Sequence, residues 1–195
     1  MRPRLLLPLL PASLALSLAF AAPQEPGKPA GGEKPDHQYI GVDKCKLCHI
    51  KKTTGEAYTI WKKAKHAKAF ETLGSDAAKE IGKKLGIEDP QKSEKCLRCH
   101  STGYGAKPEA FAATFKPTEG VGCEACHGPG SGYHKEEVHG KSREAGVAAG
   151  LRIPDEKTCV QCHNQDSPSY KEFKFEEFKK QIDHSNPQKG GKKPG

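Results

Sequence analysis

Apolar residues in this chain recur at helical rather than strand spacing. No stretch alternates apolar and polar residues for long enough to build a sheet. Five short helices are predicted instead, at 53–73, 76–85, 108–115, 133–151 and 169–185. Glycine and proline are abundant between them, with 21 and 15 residues. The pattern therefore predicts a mostly α fold of short helices joined by long loops.

Two of these helices have a start signal in the sequence. Thr53 is followed three residues later by Glu56, and Ser169 by Glu172. A hydroxyl residue with a glutamate at this spacing is typical of a capping box, in which each side chain accepts a hydrogen bond from the other residue's backbone N–H. We therefore expect helices to begin at these two points.

The two ends of the chain differ in composition from its middle. An apolar run from Leu5 to Phe20 follows Arg2 and Arg4, as in a secretory leader. Prolines interrupt this run, so we expect cleavage rather than membrane anchoring, and no membrane span afterwards. The predicted order is leader, flexible linker, folded domain and disordered basic tail, at 1–21, 22–38, 39–184 and 185–195. The mature protein is expected to be periplasmic or otherwise exported.

The strongest chemical signal is a repeated pentapeptide, Cys-x-x-Cys-His, which accounts for all eight cysteines. We number its copies motif 1 (Cys45, Cys48, His49), motif 2 (Cys96, Cys99, His100), motif 3 (Cys123, Cys126, His127) and motif 4 (Cys159, Cys162, His163). The pattern is the attachment signature of c-type haem. Zinc sites and disulfides also use paired cysteines, but neither requires a histidine after every pair. The sequence therefore predicts four covalently bound haem c groups.

Composition agrees with a chain that relies on bound groups for its core. Hydrophobic residues make up 34% of the sequence, with a single tryptophan. Small domains with too little apolar material usually need metals, disulfides or cofactors to fold. We expect the haems to supply this material, and the haem-free chain to remain unfolded.

The formal net charge of +8 suggests nucleic-acid binding, but the sequence contains no nucleic-acid-binding motif. Loss of the leader removes Arg2 and Arg4, and ionised haem propionates would bring the remaining charge close to neutral. The lysines are better interpreted as partners of propionates and as docking charges for redox proteins. We expect donor and acceptor proteins as partners, and no nucleic acid.

The sixth ligand of each iron decides how the haems behave. Methionine would raise the reduction potential, but the only methionine is Met1, which leaves with the leader. Histidine ligation is therefore expected. Five histidines lie outside the motifs, namely His37, His66, His134, His139 and His184.

Helical spacing ranks these candidates. His66 shares a predicted helix face with Phe70, and His184 ends an aromatic helix that could cover a haem. His134 follows motif 3 after a tight turn and is favoured over His139, five residues further on. We expect His66, His134 and His184 to be ligands. His37 is expected to be a bystander, although His139 or His37 remains available for a fourth iron.

Four segments of the chain resemble the cytochrome c-554 family of tetrahaem electron carriers, which serve hydroxylamine oxidoreductase. They are WKKAKHAKAFETL (61–73), CLRCHSTGYG (96–105), GVGCEACHGPG (120–130) and FKFEEFKKQIDH (173–184). The resemblance implies a mostly helical fold with haems in closely stacked pairs. It also implies three irons with two histidines each and a five-coordinate iron at motif 2. The implied pairings are His66 with motif 3, His134 with motif 1 and His184 with motif 4.

Two functions of different classes follow from these expectations. The favoured one is a periplasmic electron-transfer protein that shuttles electrons between redox partners through four haems. The alternative is an enzyme that reduces nitric oxide or a related nitrogen oxide at an open haem iron. No acid or base residue in the sequence stands out as the proton source that such an enzyme needs. We therefore prefer an electron carrier to an enzyme, and we assign no catalytic residue.

Overall fold

The computed structural model describes residues 37–186, and helices dominate this range. No β-strand lies within it; the only extended pairing is an isolated bridge between Tyr39 and Phe111. Its α-helices are α1 (Val42–His49), α2 (Ala57–Lys63), α3 (Ala69–Thr72), α4 (Asp76–Lys84), α5 (Glu94–His100), α6 (Cys123–His127), α7 (Arg143–Ala148), α8 (Glu156–Val160) and α9 (Phe175–Ile182). The predicted mostly α fold of short helices is thus confirmed.

The predicted leader lies outside the described residues, as do nearly all of the predicted linker and most of the basic tail. Within the described range, no helix combines the length and the apolar character needed to cross a bilayer.

The structure corrects the extent of the first predicted helix, 53–73. The chain instead forms α2, a 3₁₀ turn at Lys65–Lys68 and then α3. No capping box opens it, because Glu56 adopts a left-handed conformation with φ of 55°. Ala64 is extended, and this breaks the helix immediately before His66.

Three other helices also differ from expectation, whereas α4 lies where 76–85 predicted it. The segment 108–115 holds only a 3₁₀ turn, at Pro108–Ala110. The segment 133–151 divides into a π-turn at Glu136–Gly140 and α7. The last helix begins at Phe175 rather than after Ser169, with no side-chain cap. These segments lack the uninterrupted apolar face that would hold a longer helix against a core.

The described residues contain a small apolar core, which the segment just before α1 dominates. Its buried large apolar side chains are Tyr39, Ile40, Val42, Leu73 and Tyr133. Tyr39 exchanges backbone hydrogen bonds with Ala110 and Ala112, at 2.7 and 2.9 Å. Its ring packs on Phe111 and Phe115. This segment ties the start of α1 to the centre of the molecule.

A buried carboxylate joins this segment to motif 3. Glu124 is only 2% exposed. Its two oxygens accept hydrogen bonds from the backbone N–H groups of Ile40, Gly41 and Gly130, at 2.6 to 3.1 Å. Burial raises the pKa of this carboxyl, although the backbone donors act in the opposite direction. Motifs 1 and 3 are therefore held together by an internal polar junction.

Candidate functional site

All four cysteine motifs fall on short helices or the turn that follows one. Motifs 1, 2 and 3 close helices α1, α5 and α6, whose last residue in each case is the motif histidine. In motif 4, Cys159 lies in α8, and Cys162 and His163 lie in the turn after it. At helical spacing, the first cysteine and the histidine four residues on share one face. Each motif therefore presents its thiols and imidazole from one local scaffold.

The thiols of different motifs lie close to one another and form no disulfide within the described residues. The Cys45 thiol interacts with that of Cys123, which raises the pKa of Cys45. The Cys99 thiol interacts with that of Cys162, and this interaction lowers the pKa of Cys99 to about 7. Cys126 lies within electrostatic range of Cys159. Motif 1 therefore neighbours motif 3, motif 3 neighbours motif 4, and motif 4 neighbours motif 2.

Backbone carbonyls orient several of the imidazoles. The Nδ1 atoms of His100 and His127 lie 2.7 and 3.0 Å from the carbonyl oxygens of Ala69 and Arg152. A carbonyl oxygen only accepts, so Nδ1 carries the proton and Nε2 keeps its lone pair. Fixing the tautomer in this way is how proteins prepare a histidine for a metal. The Nδ1 atoms of His139 and His184 make equivalent contacts, at 2.6 and 2.8 Å.

Three motif histidines face a second imidazole. The ring centroids of His49 and His139 are 5.8 Å apart, those of His66 and His163 are 5.9 Å apart, and those of His127 and His184 are also 5.9 Å apart. Two imidazoles bound to opposite sides of one metal ion, through bonds of about 2 Å, would place their centroids about 6 Å apart. The three spacings therefore suit a metal ion between each pair.

These pairs differ from those that the resemblance implied. His66 faces motif 4 rather than motif 3, and His184 faces motif 3 rather than motif 4. Opposite motif 1 the structure places His139, which the sequence ranked second to His134. His134 instead lies near Ser131, with 3.3 Å between its Nδ1 and that carbonyl oxygen.

His100 of motif 2 is a different case. Within residues 37–186, no ring contact joins His100 to another imidazole. His37, one candidate for a fourth distal ligand, has its ring packed against Gly132 and Gly150. A Cβ atom on Gly132 would clash with this ring, and one on Gly150 would lie 3.1 Å from it. The side of motif 2 opposite His100 therefore has no histidine assigned to it.

Burial favours the neutral form of the paired histidines. Desolvation lowers the pKa of His127 to about 4. Desolvation also lowers the pKa of His66, and the nearby His163 lowers it further. The pKa of His163 itself is lowered by desolvation as well. Neutral imidazole is the form that binds a metal. At neutral pH these rings therefore need no deprotonation before they coordinate.

Two features that sequence reasoning did not find hold His66 in position. The N–H of Val121 donates to the His66 carbonyl at 3.0 Å, and the Trp61 indole donates to the Val121 carbonyl at 2.8 Å. A Cβ atom on Gly120 would lie only 2.7 Å from the His66 carbonyl oxygen. The only sequence signal was the Gly-x-Gly pair before motif 3, which is equally typical of an ordinary turn.

The residues fit the chemistry of haem c attachment. Unpaired thiols, available Nε2 atoms and imidazole pairs at metal-bridging distance are the groups that covalent haem and its axial ligands require. The apolar core of the described range is small, so the motifs would pack mainly against bound groups rather than against side chains. The described residues contain no group of three or more histidine, cysteine or acidic side chains arranged to hold a metal ion by themselves.

Comparison with known proteins gives matches to cytochromes c. Residues 44–128 match the family described as cytochrome c554 and c-prime. The chain is 33% identical over 144 residues to cytochrome c-554 of Nitrosomonas europaea, an alignment that covers 66% of this chain and 58% of that protein. The chain thus spans a little over half the length of this relative. No solved structure matches the chain.

Proposed function

Because this chain matches the cytochrome c554 and c-prime family over residues 44–128 and is 33% identical to a cytochrome c-554 over 144 residues, we propose that it is an exported electron-transfer protein of that family, which carries four haems and shuttles electrons between redox partners. The family supports a multihaem electron-transfer cytochrome with covalently bound haem c. The number of haems, the location and the partners are our proposal. The observation that carries it is the set of four motifs, three of which have a second imidazole at metal-bridging distance.

The proposal assigns each side chain a role. The eight motif cysteines would attach haem as thioethers, and the four motif histidines would be the proximal ligands. His139, His66 and His184 would be the distal ligands at motifs 1, 4 and 3, as their ring contacts support. His134, which the sequence favoured, has no ring contact with a motif histidine in the described range. Bound haem supplies one-electron Fe(III)/Fe(II) chemistry.

The neighbouring thiols support an order for the electron path. Cys45 lies by Cys123, Cys126 near Cys159, and Cys162 by Cys99. Electrons would therefore pass between attachment sites in the order motif 1, motif 3, motif 4, motif 2, or in reverse. Motifs 1 and 2 would be the two ends of the path. No side chain has to move for such transfer, which agrees with a scaffold held by a buried polar junction.

Export is part of the proposal because of the leader-like start of the chain, with Arg2 and Arg4 before the apolar run Leu5–Phe20. Covalent haem attachment takes place outside the cytoplasm in bacteria, so a leader and the motifs point to the same compartment. The identity of donor and acceptor is left open, since the chain spans little more than half of its relative.

The test is mass spectrometry with low-temperature EPR on protein secreted by a host able to attach haem. We expect the mass of the processed chain plus four haems. In the oxidised protein we expect three low-spin irons and one high-spin iron. Full reduction by dithionite and reoxidation by ferricyanide should be reversible. A colourless product, or haem that does not cycle, would overturn the proposal.

A second candidate, small-molecule binding at motif 2, is favoured by one observation, the absence of an imidazole facing His100 in the described residues. An iron with a vacant position there would bind nitric oxide. Reduction of nitric oxide needs a proton donor as well. Loss of the high-spin EPR signal on adding nitric oxide would show binding, and turnover with excess reductant would show reduction.

A further inference from the structure

The two residues between the cysteines of each motif differ greatly in exposure. In motif 3, Glu124 is 2% exposed, whereas in motif 1, Leu47 is 71% exposed, the highest value among the large apolar residues of the described range. Val160 in motif 4 is 38% exposed, and Leu97 in motif 2 is half-buried. Motif 3 is therefore internal, and motif 1 carries the most exposed apolar side chain of the four motifs.

The exposed side of α1 is not the side that would hold haem. At about 100° per residue, Leu47 lies two residues, and therefore about 160° around the helix, from both Cys45 and His49. Attachment at Cys45 and ligation at His49 would therefore leave Leu47 on the opposite face. Ile50 continues the turn with φ of −87° and ψ of −17°, and it is 44% exposed.

Exposed lysines flank these two apolar side chains in the sequence. We define the motif 1 patch as Leu47 and Ile50 with the exposed residues Lys44, Lys46, Lys51 and Lys52. Within the described residues none of these four lysines forms an ion pair. The one acid on α1, Asp43, is already neutralised by Lys116, at 2.6 Å. Lys46 also lies over the Tyr58 ring, with its Nζ 5.3 Å from the ring centroid. The patch thus joins two exposed apolar side chains to an excess of positive charge.

The other exposed motif lacks this combination. Around Val160 in motif 4, the neighbouring charges include Asp155 and Glu156 as well as Lys157. Arg98 of motif 2 is paired with Asp166 beside motif 4, at 3.2 Å. Of the four motifs, only motif 1 joins an exposed aliphatic side chain to lysines without acidic partners in the described range.

We propose that the motif 1 patch is the docking surface for an acidic redox protein, one whose contact face has an apolar centre and a rim of carboxylates. This rests on the proposed function, because motif 1 is one end of the proposed electron path. The lysines of the patch would attract an acidic partner and raise its rate of association, and Leu47 and Ile50 would supply the desolvated contact. The partner would then lie against the helix that carries the first attachment site.

The test is stopped-flow reduction of the oxidised holoprotein by a pre-reduced acidic [2Fe–2S] ferredoxin, used as a probe partner. The variant K44Q/K51Q removes two charges from the patch. Its matched control, K84Q/K180Q, removes two exposed lysines from α4 and α9 that form no ion pair within the described residues. The two double variants therefore have the same net charge as each other. We expect K44Q/K51Q to lower the second-order rate about five- to tenfold at low salt, and to flatten its dependence on ionic strength. The control should stay within about twofold of the unmodified protein.

The variant Leu47→Gln tests the apolar centre. This variant should lower the second-order rate of reduction by the ferredoxin at high salt concentration, where electrostatic steering is screened. Its haem content and its reduction by dithionite should stay normal. Equal rates for K44Q/K51Q and its control would overturn the docking surface. So would self-association of the protein that Leu47→Gln abolishes, because a second copy would then cover the patch. Failure of the holoprotein to accept electrons from dithionite would instead overturn the proposed function.

Discussion

At the scale of single residues, the choice of distal ligands depends on a few backbone contacts. His139 is held by the Tyr133 carbonyl at 2.6 Å, and its Cβ would lie only 3.1 Å from a Cβ atom on Gly146. A glycine in α7 thus lets the helix approach the π-turn that carries His139. His134 lies five residues earlier and belongs to the turn after motif 3.

Replacing His139 by alanine should convert one iron from low to high spin, because it removes the imidazole opposite His49. The ring planes of His49 and His139 lie within 25° of each other, whereas the other two pairs are near perpendicular, at 89° and 74°. The EPR signal lost should therefore be the rhombic low-spin one, not a highly anisotropic one. The matched variant His134→Ala should keep every low-spin signal. The opposite result for the two variants would make His134 the ligand.

Glu124→Gln should lower the free energy of unfolding by about 2–4 kcal/mol, since both carboxylate oxygens accept backbone N–H groups and an amide would turn a donor toward some of them. Guanidinium unfolding of the holoprotein gives the measurement. The exposed Glu137→Gln in the π-turn is the control and should cost less than about 0.5 kcal/mol. Equal effects would mean that Glu124 does not organise motifs 1 and 3.

At the scale of elements, the motifs can be read directly from the sequence, whereas the surroundings of the candidate distal histidines cannot. Each motif is complete within five residues, so its chemistry is independent of the fold. His66 was placed by counting 100° per residue, but Lys65–Lys68 is a 3₁₀ turn in which that count fails. His184 was placed at a helix end, yet α9 stops at Ile182 and Asp183 is extended. Which motif each distal histidine faces depends on such loops, and local periodicity cannot specify them.

Gly120→Ala should disturb the pairing of His66 with His163. Gly120 has φ of +77°, and an added Cβ would lie 2.7 Å from the His66 carbonyl oxygen. Gly86→Ala is a matched control, with φ of +67° and nothing within 4 Å of the added atom. Gly86→Ala should lose about 1–2 kcal/mol from left-handed strain. Gly120→Ala should lose more, because the ψ of Gly120 is −144°, outside the left-handed region, in a part of backbone space that is essentially restricted to glycine. Only Gly120→Ala should also alter one anisotropic low-spin EPR signal; an unchanged spectrum would show that the contact does not position His66.

At the scale of the whole molecule, the fold has too few apolar contacts of its own. Its described range buries five large apolar side chains. One of them, Tyr133, also has a polar hydroxyl, which donates a hydrogen bond to the Gly128 carbonyl at 2.7 Å. Chains of this size usually bury far more apolar surface to offset the conformational entropy lost on folding. The backbone hydrogen bonds of such short helices add little, because helices of four to nine residues are marginal without packing.

The same sequence made without haem attachment should therefore be unfolded. Far-UV circular dichroism of the haem-free chain should show little helix, and its amide NMR signals should lack dispersion. The holoprotein from a maturation-competent host is the control, since it differs only in its covalent groups. Cooperative unfolding of the haem-free chain would mean that the side chains alone specify the fold. The imidazole pairs at about 6 Å would then be a property of the polypeptide alone and would not depend on bound haem.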